Sequence, residues 1–152
     1  MNTTEKKQLL ATATFQSGYN CAQSVLSTFS IDFGLERDAL LKMASPFGSG
    51  IAKTQQTCGA VIGALLAIGL KYGKGEKVTD EDKNRSYALA QQLMSDFTQE
   101  HGCTNCLKLM DNLDMNNAND MAKIKELDLF KTHCVNYIRT AVKLADGILE
   151  NN

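Results

Sequence analysis

From Cys58 to Leu70 the chain carries no charged side chain and, cysteine apart, no polar one. The run is long enough for about three and a half helical turns. It is too short to span a bilayer, which takes about 20 residues. Val61, Ile62, Leu65, Leu66, Ile68 and Leu70 leave almost no polar face. The run therefore predicts a central helix covered on all sides, and the rest of the chain has to supply the cover. It opens with Thr57-Cys58-Gly59-Ala60-Val61-Ile62-Gly63. Thr57 suits an N-cap, which would make Cys58 the first helical residue. The partial positive charge there favours a thiolate over a thiol. Gly59 and Gly63 stand one turn apart, each costing about 1 kcal/mol against alanine. That cost points to close approach of another helix, a cluster or a ligand, so both are candidate cofactor-binding residues. A plain buried helix with a structural cysteine is the competing reading.

The flanking sequence also reads as helical. There is one proline and no tryptophan, and 43% of the 152 residues are hydrophobic. Length and composition predict a single domain over residues 1–152 with room for a real core. Thr3 to about Phe15 forms a first helix, ended by Gly18. Asn20 is an N-cap candidate for a second, with Cys21 opening it and Ala22, Val25, Leu26 and Phe29 at helical spacing. Glu36 to Met43 forms a third, stopped before Pro46. Pro46-Phe47-Gly48-Ser49-Gly50 is a connector or an anion-facing loop. Thr79 starts a long helix whose predicted buried stripe is Tyr87, Ala90, Met94 and Phe97, closed by His101-Gly102. Asp111 to Asp120 reads as loop, and a short helix spans Met121 to Leu127. Thr132 would cap the last helix, whose core stripe is Val135, Ile138, Val142, Ala145 and Leu149. The expected architecture is an all-α compact bundle of six or seven helices around the central apolar one.

Five cysteines are present. Cys21, Cys58, Cys106 and Cys134 share one predicted position, the first turn of a helix after a Thr or Asn cap. Helix N-termini meeting at one site would stabilise several thiolates together. Thiolates are both the nucleophiles and the metal ligands, so these four are the candidate catalytic residues and equally the candidate metal ligands. Without a metal or disulfide, a dry pocket of four would keep some thiols protonated, because like charges raise one another's pKa. Cys103 and Cys106 make the one C-x-x-C, which suits a redox dithiol or half of a zinc or iron–sulfur site. His101 reads as a partner of its helix C-terminus, with a ligand as the alternative, and His133 as a surface residue, with a base or metal ligand beside Cys134 as the alternative.

The net charge of −1, without a basic stripe, argues against nucleic acid and anionic membranes as partners. Met1 to Ser17 lacks the apolar core of a signal peptide, which points to the cytoplasm. There, cysteines are more often metal-binding or redox-active than a disulfide framework.

The motif Cys58-Gly59-Ala60-Val61-Ile62-Gly63 resembles that of a family of redox-active proteins named for a C…CGAxxG…C…C pattern. The flanks fit: Phe47-Gly48-Ser49-Gly50-Ile51 before it and Gly69-Leu70-Lys71-Tyr72-Gly73 after it. Cys21 in Gly18-Tyr19-Asn20-Cys21-Ala22 matches the upstream cysteine. Cys106 in Thr104-Asn105-Cys106 and Cys134 in Cys134-Val135-Asn136-Tyr137-Ile138 match the last two. The likeness runs from about Phe15 to Ala145. It implies redox activity through the four cysteines, with no assigned substrate. It also implies a fold similar to a domain of split-Soret cytochromes, dimeric haem proteins that can carry an iron–sulfur centre. No C-x-x-C-H is present, so covalent haem is not expected. Cys103 departs from the pattern.

Three functions compete. A thiol redox protein would cycle two or more of Cys21, Cys58, Cys106 and Cys134 between dithiol and disulfide, or relay electrons, with thiols that titrate low. A metal module would use the same four for zinc, iron or an iron–sulfur cluster. A structural protein would bury them as small hydrophobes. The redox partner is unidentified, and the Gly59/Gly63 face is also compatible with a homodimer.

Overall fold

The computed structural model describes residues 1–77 and 79–151. Among the described residues the regular structure is helical: α1 (Thr3–Gln16), α2 (Cys21–Ser27), α3 (Ser30–Phe33), α4 (Arg37–Ala44), α5 (Gly59–Tyr72), α6 (Asp80–His101), α7 (Cys106–Leu109), α8 (Ala118–Glu126) and α9 (Val135–Asn151). A 3₁₀ turn, Ser45–Phe47, follows α4, and a π-helical turn, Phe130–Cys134, runs into α9. Seven of these helices span seven residues or more, and α3 and α7 are single turns of four. The bundle expected from sequence is therefore present. No helix among the described residues is long and apolar enough to cross a membrane.

Local caps set the first two helices. Asn2 and Glu5 exchange side chain–backbone hydrogen bonds at the start of α1, and Asn20 and Gln23 do the same at α2. Each such capping box satisfies two otherwise orphaned N–H groups. It fixes where α2 starts, and hence where Cys21 points.

α5 is the central helix, packed against α2, α9 and α6, while α1 crosses α9 and α2. The main core gathers Leu26, Phe29, Leu40, Ile68, Leu93, Phe97, Ile138 and Val142, all at most 1% exposed. A second, smaller core holds Cys106, Met110, Met115, Ile124 and Leu129, with Met121, Phe130 and Cys134 at its edge. Lys7 ties α1 to α9 through the buried Asp146 at 2.6 Å and reaches Asp32 of α3 at 3.1 Å.

Two sequence expectations are corrected. α5 is not covered on every side: Ile62, Leu65 and Leu66 are half-buried and Leu70 is exposed. Its neighbours cover three sides, and the fourth opens on a groove beside Met43. In α6 the buried stripe is Leu89, Leu93 and Phe97. Ala90 and Met94 are half-buried, and Tyr87 is exposed with Lys83 over its ring.

The glycine face of α5 is used by α2. A methyl group on Gly63 would stand 2.8 Å from the Ala22 carbonyl oxygen and 2.9 Å from Val25 Cβ. Both are inside van der Waals contact, and the first is backbone. Gly63→Ala is therefore expected to destabilise the fold by about 1–3 kcal/mol, as overpacking does, read as a lower urea midpoint at unchanged m-value.

Candidate functional site

The segment before α5 pairs with the segment before α7. Cys58 N–H donates to the Thr104 carbonyl at 2.8 Å, and Cys106 N–H donates to the Gln56 carbonyl at 2.6 Å, around an antiparallel bridge of Thr57 with Asn105. Side chains alternate across an extended strand. Thr57 and Asn105 therefore face one way, while Cys58 and Cys106 face the other.

That other side is a cavity of about 50 Å³. Cys21, Cys58, Cys106 and Cys134 all line it, with Gly59, Ser49, Phe15, Met110, Met115 and Tyr137 among the other walls. The four cysteines expected to meet thus come together from four separate segments. All are free thiols, Cys58 and Cys106 buried and Cys21 and Cys134 half-buried. Gly59 lines the cavity because the Cys21 sulfur seats on it: a methyl there would overlap that sulfur and crowd the Phe47 carbonyl oxygen at 2.8 Å. Gly63 lies one turn further on, against α2.

Two of the four helix positions differ from expectation. Asn20 and Asn105 cap α2 and α7, which puts Cys21 and Cys106 in first turns. Cys58, however, is itself the N-cap of α5, because Thr57 is held extended by its bridge to Asn105. Cys134 ends a π turn that follows Leu129, and the Thr132 hydroxyl donates to the Asp128 carbonyl at 3.1 Å instead of capping a helix.

The Pro46–Gly50 connector leads into an unexpected conformation. Ser49, Gly50, Ile51, Ala52 and Lys53 all have φ between +52° and +69°, and Gln55 follows at +55°. Left-handed backbone costs about 1–2 kcal/mol per non-glycine residue and is normally confined to single residues. Here it is clamped. The buried Gln55 side chain donates to the Leu113 carbonyl at 2.9 Å and accepts from Met115 N–H at 2.7 Å, while Asn116 donates to the Lys53 carbonyl at 2.9 Å. Gly50 is required at its place, since a methyl there would lie 2.5 Å from Gln55 Cα and 2.6 Å from Cys106 Cβ. The turn aims the Ser49 N–H at the Cys21 sulfur.

The electrostatics reverse the expectation of low-titrating thiols. Burial pushes Cys21 up, and the N–H groups of Ser49, Ala22, Cys21 and Ala60 offset only part of it. Burial and the charge of Cys21 push Cys58 up, against N–H groups of Val61 and Ala60. Cys106 is pushed up to about 12 by burial and by Cys21. Cys134 is raised by burial and by the other three cysteines. Burial can move a pKa by about 3–5 units, whereas a helix terminus contributes about 0.3–1 kcal/mol. Burial wins, and the resting state is a set of neutral thiols.

The remaining candidates lie outside the cavity wall. Cys103 is half-buried against the main core, its sulfur 3.9 Å from the Asn105 carbonyl oxygen, so the C-x-x-C divides between core and cavity. His101 shares a 2.8 Å hydrogen bond with the Thr140 hydroxyl and packs its ring tilted against Phe97 and edge-on to Tyr137. Burial lowers its pKa, which removes the charge a helix-dipole partner needs. His133 pairs with Asp111 at 3.1 Å. Sequence reasoning missed Met110, Met115 and Tyr137, and offered Ser49 and Gly50 only within a connector or anion-facing loop. Of these, only Gly50 carried a local signal.

The donor set suits a soft metal, since thiolates hold zinc or iron–sulfur clusters. Among the described residues, though, no three His, Cys, Asp or Glu side chains converge closely enough for one ion. A single four-cysteine zinc therefore does not fit the arrangement as it stands. Cys21, Cys58, Cys106 and Cys134 are the residues that would hold a cluster if one were bound.

Residues 19–148 match the family described as "Putative redox-active protein (C_GCAxxG_C_C)". The chain's Cys58-Gly59-Ala60-Val61-Ile62-Gly63 has cysteine and glycine in the opposite order to the label's central GCAxxG. No curated protein and no solved structure matches the chain significantly.

The raised thiols make stability depend on pH. Unfolded cysteine titrates near pH 8.5, while folded Cys106 holds its proton to about pH 12. Between those values the folded state binds more protons, so stability is full below pH 8.5 and falls as pH rises. Urea midpoints are expected to drop from pH 8 to 10.5, and Cys106→Ala to flatten part of that slope.

Proposed function

This chain belongs to the C_GCAxxG_C_C family of redox-active proteins, and on that premise we propose that it is a dithiol–disulfide redox protein working through Cys21 and Cys58. The observation that carries the reading is the meeting of four cysteines, from four segments of the chain, at one small apolar cavity. Cys21 is the nucleophile. Backbone N–H groups of Ser49, Ala22, Cys21 and Ala60 point at its sulfur and offset part of the cost of ionising it. Cys58 is its partner, adjacent through Gly59, on which the Cys21 sulfur rests.

The oxidant is a disulfide on a partner. The Cys21 thiolate attacks one of its sulfurs, forms a mixed disulfide and releases the other sulfur as a thiol. Cys58 then displaces the second sulfur, leaving a Cys21–Cys58 bond. Two electrons and two protons pass to the partner, which departs as a dithiol.

The dry cavity favours neutral species at both ends of this cycle. An ordinary dithiol loses protons above pH 8.5 and its potential levels off. Here the midpoint potential is expected to fall by about 59 mV per pH unit for two electrons and two protons, without a break up to pH 10. Cys21→Ser and Cys58→Ser should each abolish the two-electron couple, and Cys103→Ser should leave it intact. A couple lost only in Cys106→Ser or Cys134→Ser would refute the pairing.

A second reading follows from the ring of four thiols. Cys21, Cys58, Cys106 and Cys134 would together hold an iron–sulfur cluster, which would supply one-electron chemistry. Iron with matching acid-labile sulfide in protein purified without oxygen would favour this reading. Their absence would favour the dithiol.

A further inference from the structure

The cavity is divided. Cys21 and Cys58 belong to the main core, and backbone N–H groups point at both sulfurs. Cys106 and Cys134 belong to the second core, which is rich in methionine. Met110 follows Cys106 by one turn, its N–H donating to the Cys106 carbonyl at 2.9 Å, so the two side chains share a face. The Cys134 sulfur lies 3.6 Å from the Met110 sulfur. The cavity wall near them contains no carboxylate, imidazole, lysine or arginine.

From this juxtaposition we infer that Cys106, Met110 and Cys134 form a copper(I) site. A thioether does nothing for thiol–disulfide exchange, and it is a poor ligand for zinc. Thiolate and thioether donors together select copper(I), which accepts two or three soft ligands. Two thiolates and one thioether therefore suffice, with no third cysteine. Largely apolar walls, free of carboxylate, imidazole, lysine and arginine, protect the monovalent state. Binding breaks the two S–H bonds, forms two thiolate–copper bonds and one thioether–copper bond, and sends two protons to solvent. Copper and sulfur keep their oxidation states. The site stands on residues other than the proposed redox pair, so either can fail alone.

The test is anaerobic titration of the reduced, metal-free full chain with copper(I), in competition with a chromophoric copper(I) chelator. One tightly bound copper per chain is expected, with only sulfur in its first shell by X-ray absorption. Met110→Leu keeps volume and fold and should weaken binding by about tenfold or more, the loss typical of removing even an outer-shell partner. Cys134→Ser should weaken it further. The double variant Cys21→Ser/Cys58→Ser should lose the disulfide couple yet keep copper affinity. Wild-type affinity in Met110→Leu would overturn the site. So would loss of copper in the double variant, nitrogen or oxygen in the first shell, or zinc displacing copper(I) at equal concentration.

Discussion

The approach of α2 to the start of α5 is the contact on which the site depends. Gly59 and Gly63 let the α2 backbone come so close that the Cys21 sulfur rests on one glycine and the Ala22 carbonyl on the next turn. Only at that separation does the first turn of α5 turn its Ala60 N–H toward the Cys21 sulfur. The two glycines sacrifice about 1 kcal/mol each of helix propensity. What they obtain is two sulfurs on adjoining elements of one core, and the remaining helices then enclose that pair.

Enclosure sets the chemistry. Backbone N–H groups around Cys21 and Cys58 favour charge, and burial disfavours it more strongly. The compromise is a pair of thiols that ionise reluctantly. Cys106 and Cys134 face the same cavity, and burial and the neighbouring cysteines raise them. One ring of cysteines thus contains two chemically different halves, one lined by amides and the other by methionine sulfur.

Much of this was legible in the sequence, and for definable reasons. Asn20 and Asn105 announced their helix starts because cap chemistry is local. The apolar run of α5 announced a central helix because burial on several faces leaves no polar stripe. The convergence of Cys21, Cys58, Cys106 and Cys134 followed from a shared position, although Cys58 and Cys134 reach the cavity by other means. Thr57 reads as a cap until Asn105, 48 positions away in the numbering, holds it extended. The left-handed turn was invisible because Ile51, Ala52 and Lys53 have no preference for it. Met110 and Met115 read as ordinary core, since only tertiary contact sets them against a cysteine sulfur.

The left-handed turn also bears on the order of assembly. Local backbone bonds tie the turn to itself, Ala52 N–H to the Pro46 carbonyl and Gln56 N–H to the Gly50 carbonyl, each at 2.8 Å, while its side-chain clamps come from Leu113, Met115 and Asn116, 58 to 63 residues along the chain. Those clamps close only after both halves of the chain have met, and they fix the turn that brings the Ser49 N–H to Cys21. Until that moment the cysteines keep the acidity of free thiols, and afterwards they are quiet. Folding itself is the protecting group: the chain withdraws its thiols from indiscriminate oxidants in the same step that builds the pocket.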